Sequence, residues 1–477
     1  MNRKIGIGVL WNMANAITTR GASILFTIFL ARLLAPEAFG MIAMATVVFE
    51  LANVFVESGL GQALIRSKSV SQFDLSTVFF TNLGLSLVAY CVVYVTAPFV
   101  VDFYSQPELV LIIQVMGLVV LLNATKVVQV AVLSRKMDFK TQMKADSLGM
   151  VLSGMLAVTA AYQGFGVWSL IVQVLVSALI SSVVLWLASS WRPSVQFSAE
   201  SFSRLSRFGA NLLLEGLLWR LMENSYVLVI GRFFSAEITG LYYFAKKISD
   251  LISLQLTTTV QRATFPALAV LQDDSAILRY KYRQIIQLMM FVIAPVMLML
   301  AALASPLFRL LFDVRWQGAV PYLQLLCVVG VIFPLHAMNI NILNVKGRSD
   351  LVLKVGLIKR LVNIALLFAA LPFGVLAIAM SQIVGSLLAL IPNAYYSKKM
   401  IGYGLKEQIL DVIKPMLAAL VAALGAWWVV QVELLSLYLM IPASCLIGLV
   451  IYIILGIITK VDGLLLLSKK IGRALWK

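Results

Sequence analysis

The sequence predicts an all-α polytopic membrane protein of about fourteen transmembrane helices, built as two homologous six-helix lobes plus two extra C-terminal helices. Three observations predict it. The 477 residues are 61% hydrophobic and 12% charged, with a mean hydropathy of +0.96, too apolar for a globule covered by water. The apolar residues gather into runs of about 20, the length that crosses a hydrocarbon core about 30 Å thick. The segment Ala31–Met41 returns 200 residues later as Gly231–Leu241, with Arg32, Glu37 and Gly40 matched by Arg232, Glu237 and Gly240. The same offset maps Arg20 onto Arg220, and Phe165-Gly166-Val167 is echoed by Phe373-Gly374-Val375. Two repeats therefore divide the chain into 1–195 and 196–400, with 401–477 holding the last two helices and a basic tail.

Spans are expected near 5–31, 41–62, 76–100, 109–133, 146–163, 167–190, 208–230, 240–262, 284–305, 318–342, 353–371, 375–396, 412–430 and 437–458. The first run is long and interrupted by Arg20, so it reads as a retained helix, not a cleaved signal. The connection from Val101 to Glu108 is the longest on its side and too short for a folded domain. Gly164-Phe165-Gly166 reads as a tight turn between the fifth and sixth spans, and the last two spans have no partner in the repeat. Continuous apolar runs exclude an outer-membrane barrel, whose strands alternate over short segments.

The formal charge of +17 is unevenly spread. With the N-terminus in the cytoplasm, 27 Lys and Arg fall on the cytoplasmic side and only Arg32, Arg232, Arg309 and Arg315 on the other. Both termini are thus expected in the cytoplasm, and the basic excess is topology information with attraction to anionic lipid, not a nucleic-acid surface.

Twelve charges remain inside spans: Arg20, Lys126, Arg220, Lys246, Lys247, Lys359 and Arg360, with Glu50, Glu57, Glu215, Glu223 and Asp250. At roughly 2.5–3.5 kcal/mol each on insertion scales they cannot all face lipid. Arg20 and Arg220 fall halfway along repeat-equivalent spans, near the midplane. Glu50 and Glu57 are seven apart on one face; Lys246 and Asp250 are four apart, Lys247 and Asp250 three, Arg220 and Glu223 three. A water-filled cleft lined by the first, second, seventh and eighth spans follows, with Arg20, Arg220, Lys246, Lys247 and Lys126 as substrate-binding cations. Glu50, Glu57, Glu215, Glu223 and Asp250 serve as charge-balancing or coupling acids. The same spacings also fit ion pairs that only neutralise each other. Glu57 also fits a backbone cap in the turn at Ser58–Gly61, and Lys359 and Arg360 fit snorkelling to the headgroups. His336, the one histidine, reads as a core residue with its polar atoms satisfied more than as a proton carrier.

Cys91, Cys327 and Cys445 lie in apolar runs, which suggests neither disulfide frame nor metal cluster, and no Gly-rich ATP loop is present. A membrane glycosyl- or phosphotransferase would need carboxylates held at the membrane surface. The one adjacent acidic pair, Asp273-Asp274, has Arg279, Lys281 and Arg283 beside it and reads as a solvated loop. No cofactor is expected.

Glu57-Ser58-Gly59-Leu60-Gly61-Gln62-Ala63-Leu64-Ile65, Gly240-Leu241-Tyr242 with Ala245-Lys246, and Phe265-Pro266-Ala267-Leu268 running to Asp274 carry a resemblance. So do Arg315-Trp316, Val320-Pro321-Tyr322-Leu323 and Lys346-Gly347-Arg348-Ser349-Asp350. The chain resembles the polysaccharide transporter branch of the multidrug/oligosaccharidyl-lipid/polysaccharide exporter superfamily, and within it the lipid-linked oligosaccharide flippases of the colanic-acid exporter type. The resemblance implies two six-helix lobes, alternating access, and a cationic cavity for the sugar-pyrophosphate head of a polyprenyl lipid. It implies a place in the bacterial inner membrane, contact with membrane lipids, and polysaccharide polymerase machinery as a partner. A proton- or sodium-coupled drug exporter of the same superfamily is the rival expectation.

Overall fold

The computed structural model describes residues 21–56, 59–67, 69–432 and 436–464, without the side chains of 205–215 and 218. Every regular element among them is helical. In the first part of the chain these are α1 (Gly21–Leu33), α2 (Pro36–Val56), α3 (Leu60–Arg66), α4 (Gln72–Tyr104), α5 (Leu109–Arg135), α6 (Phe139–Tyr162), α7 (Trp168–Ala188), α8 (Ala199–Glu223) and α9 (Ser225–Phe233). Next come α10 (Ala236–Ala269), α11 (Ser275–Ala302), α12 (Ala304–Leu311), α13 (Val320–Val345), α14 (Ser349–Ala370), α15 (Val375–Ile401), α16 (Leu405–Gln431) and α17 (Leu437–Ile458). Short 3₁₀ turns occupy Val314–Ala319 and Leu371–Phe373.

Ten helices among the described residues are long and apolar enough to cross a bilayer, counting Pro36–Arg66 as one. The chain is a multi-pass membrane protein. Of the fourteen expected spans, the four beyond those ten are the first, which is described only from Gly21, and the regions of α8–α9, α10 and α14. The last three carry Arg220, Lys246, Lys247, Asp250, Lys359 and Arg360, the charges that set them apart from ordinary lipid-facing helices.

The helices begin where the sequence supplies a cap. Ser71 and Asp74 form a reciprocal capping box at α4, with Asp74 accepting from the Ser71 amide at 2.9 Å. Asp138 caps α6 through the Thr141 amide at 3.1 Å, and Asp274 caps α11 through the amides of Ala276 and Ile277. These caps carry the helices beyond the apolar runs: α4 starts at Gln72 instead of 76 and α6 at Phe139 instead of 146. The turn between α6 and α7 holds Gly164 and Gly166 at φ of 85° and 56°, left-handed values that explain both glycines.

The chain divides into two compact units, Met1–Gly240 and Leu241–Lys477. In the first, α4 pairs with α5, α6 with α7, and α8 and α9 pack on α2, α3 and α4. Helices α8 and α9, which the repeat numbers as the seventh span, thus belong by packing to the first unit. Its core includes Phe79 stacked edge-on to Trp186 and Trp191. Arg135, at the end of α5, donates to the carbonyls of Leu64 (2.7 Å), Ile65 (3.3 Å) and Ser67, closing the C-terminal end of α3. In the second unit Phe244, Phe308, Phe312 and Trp316 form one aromatic cluster, with Phe244 and Trp316 4.3 Å apart between ring centres. Helix α16 lies along α11, and α17 along α16. Arg283 of α11 holds Asp411 of α16 in a two-pronged ion pair, which Tyr403 joins by donating to the same carboxylate at 2.8 Å.

Candidate functional site

Within the first unit, α2, α3, α5 and α8 enclose an open cavity of about 550 Å³. Its polar lining is Asn53, Gln62, Asn123 and Lys126; Val54, Val127 and Val130 form apolar wall. Asn123 and Lys126 are three apart on α5 and so share a face, and Asn123 donates to Asn53 Oδ1 at 3.3 Å. Gly61 and Gly216 also line the space. The acid that acts electrostatically on Lys126 is Asp146 of α6, which also accepts from Ser181 at 3.3 Å. One turn beyond Lys126, Gln129 is fully buried and neither atom of its amide has a hydrogen-bond partner. A cavity with one ammonium, three carboxamides and apolar walls suits a hydroxylated ligand carrying negative charge, since amides both donate to and accept from hydroxyls.

Of the other residues singled out in the sequence, the structure brings Glu50 and Arg220 together at 3.6 Å. Asn224, which the sequence reading overlooked, completes that group by donating to Glu50 at 2.8 Å and to the Arg220 carbonyl at 3.0 Å. Glu223 is exposed near the end of α8. In the second unit Lys246 pairs with Asp250 one turn along α10, and Lys247 is partly buried beside them. Arg20 and Glu57 lie outside the described residues, as does the side chain of Glu215. The neutral lining of the cavity leaves no mark in the charge pattern; its signal in the sequence is an Asn or Gln inside an apolar run.

The second unit holds a different polar cluster. Asn393 donates to His336 Nδ1 at 2.7 Å, which leaves the ring proton on Nε2, 2.9 Å from Ser386 Oγ. One turn on, Asn339 Oδ1 accepts from Ser397 (2.6 Å), Gln408 (2.8 Å) and Tyr282 (3.3 Å), while its amide donates to Gln408 Oε1 at 2.9 Å. Among the described residues no three His, Cys, Asp or Glu side chains are grouped to hold a metal.

Fold and site define a polytopic helical membrane protein with a polar, cationic cavity among its spans. The chain belongs to the polysaccharide biosynthesis protein family, whose pattern its residues 29–321 match. This agrees with the resemblance carried by Glu57–Ile65, Gly240–Lys246 and Phe265–Asp274. The lipopolysaccharide biosynthesis protein WzxC of Escherichia coli (strain K12) is 25% identical over 426 residues, 87% of this chain and 85% of its own length. The succinoglycan biosynthesis transport protein ExoT of Rhizobium meliloti (strain 1021) is 27% identical over 325 residues, 68% of this chain and 66% of its own. Among solved structures, the lipid II flippase MurJ in an inward closed conformation aligns with a TM-score of 0.76 at 13% identity, covering 94% of this chain and 98% of its own. An inward-facing multidrug resistance MATE family transporter aligns with a TM-score of 0.58 at 15% identity, covering 83% and 94%. The two structures establish a shared fold.

Proposed function

We propose that this chain flips a polyprenyl-pyrophosphate-linked oligosaccharide repeat unit from the cytoplasmic to the outer face of the inner membrane by alternating access, for exopolysaccharide, capsule or O-antigen synthesis. The observation that carries the reading is the cavity holding Lys126, Asn53, Asn123 and Gln62 inside apolar helices, in a chain related over most of its length to WzxC. Sugar hydroxyls are costly to strip of water without partners, so a crossing path must offer hydrogen bonds. A pyrophosphate diester needs cations, which Lys126, Arg20 and Arg220 supply. Glu50, itself held by Asn224, keeps the Arg220 guanidinium in place until an anion competes for it. Outward movement of an anion is favoured by an inside-negative potential, by about 2.3 kcal/mol per charge per 100 mV, so ATP is not required. The chain acts as a carrier, not an enzyme. Both termini face the cytoplasm on the charge bias of the loops, and polysaccharide polymerase machinery receives the flipped unit.

The test is to delete the chain and follow lipid-linked oligosaccharide in the cytoplasmic leaflet. Build-up rescued by wild type but not by Arg20→Gln plus Arg220→Gln, nor by Lys126→Gln, is expected. Rescue by every variant would remove these cations from the site. Absence of build-up would favour the drug exporter that the MATE-like fold also accommodates, whose signature is drug-dependent growth.

A further inference from the structure

The repeated segment makes a contact with its own copy. Pro36 and Gly40 open α2; Ala236 and Gly240, at the same positions of the second copy, open α10. These four residues all belong to the first unit. A Cβ on Gly40 would lie 1.8 Å from the Ala236 carbonyl oxygen, and a Cβ on Gly240 would lie 1.9 Å from that of Pro36 and 2.8 Å from the Gly40 amide nitrogen. The obstructing atoms are backbone in both directions, so they cannot swing aside. Phe39 and Thr239, on either side of the crossing, are buried at 2% and 0% exposure. The two glycines therefore meet a mutual requirement: each helix can approach the other this closely only while both lack a side chain.

A contact made of bare backbone surface is short-ranged. It depends on dispersion and weak Cα–H···O attraction, which vanish with a small separation and return without any side chain having to find its rotamer. Those are the properties of a joint that opens and shuts. The charge bias puts both segments just past the outer connections that carry Arg32 and Arg232. We propose that the Gly40–Gly240 crossing is the outer seal of the transport path, parted each time cargo leaves; this rests on the flippase reading for its orientation and cycle.

The test uses the full chain with Cys91, Cys327 and Cys445 replaced by Ala, and Thr239→Cys as a buried reporter labelled by a membrane-impermeant maleimide from outside intact cells. Gly40→Ala and Gly240→Ala should each raise the labelling rate by about tenfold, the shift of a two-state equilibrium away from the closed form, and slow export. Unchanged labelling in variants that purify as folded protein overturns the seal. Should neither alanine variant fold, the glycine-intact reporter decides: faster labelling in cells making the lipid-linked repeat unit than in cells unable to make it supports the seal, and equal rates overturn it. Faster labelling of the alanine variants, with no lipid-linked build-up when the chain is deleted, keeps the seal and removes the cargo reading.

Discussion

The two units use buried polarity in opposite ways. In the first, Lys126, Asn53, Asn123 and Gln62 are turned to an open cavity, and Gln129 nearby has neither amide atom paired. In the second, Asn339, Ser397, Gln408 and Tyr282 are bound to one another, and His336 to Asn393 and Ser386. Repeated helices can therefore diverge in chemistry while the backbone plan persists. Unfilled hydrogen-bond capacity marks where a ligand can be met; filled capacity marks where helices are joined.

The contrast breaks most visibly at Asn339. Asn339→Leu leaves three buried donors without their shared acceptor and should lower stability by about 2 kcal/mol or more, read as a fall in the thermal midpoint in detergent. If that midpoint does not move, the second unit's cluster is not a fastening. Lys126→Gln is the converse. It should reduce export about tenfold, near 1.4 kcal/mol, while the thermal midpoint stays put, because the side chain faces a cavity and not a packed neighbour. Restoration by Lys126→Arg would sharpen the claim to charge. The smallest effect belongs to the pair at the start of α14 in which Arg348 donates twice to Asp350, at 2.7 and 2.8 Å, and holds its carboxyl down to about 2. Both partners are well exposed, so Asp350→Asn should change neither export nor the thermal midpoint.

Apolar run length made the helices legible, since hydrocarbon thickness fixes it; the helix ends were less so. Ser71, Asp74, Asp138 and Asp274 are polar and looked like loop, yet each is a cap that starts a helix. Counting charges found Lys126 and the Lys246–Asp250 pair, the latter because four residues along a helix is a local distance. It could not reveal that Glu50 meets Arg220 across 170 positions and Asn224 across 174. Nor could it reveal Asn53, Gln62 and Asn123, whose neutrality hides them in a hydropathy profile. The repeat was visible as Arg, Glu and Gly at a fixed offset; that the glycines face each other required coordinates.

Arg135 is one of the 27 Lys and Arg that the charge bias assigns to the cytoplasmic side. Its guanidinium instead holds three peptide oxygens at the end of α3. In the orientation proposed from the loop charges, one residue thus serves biogenesis, as a signal to the insertion machinery, and architecture, as a rivet. Orientation mapping by charge reversal would confuse the two at Arg135, where an inverted protein and a sprung helix end would give the same loss. Lys136, its exposed neighbour, is the position at which the insertion signal can be altered while α3 stays pinned.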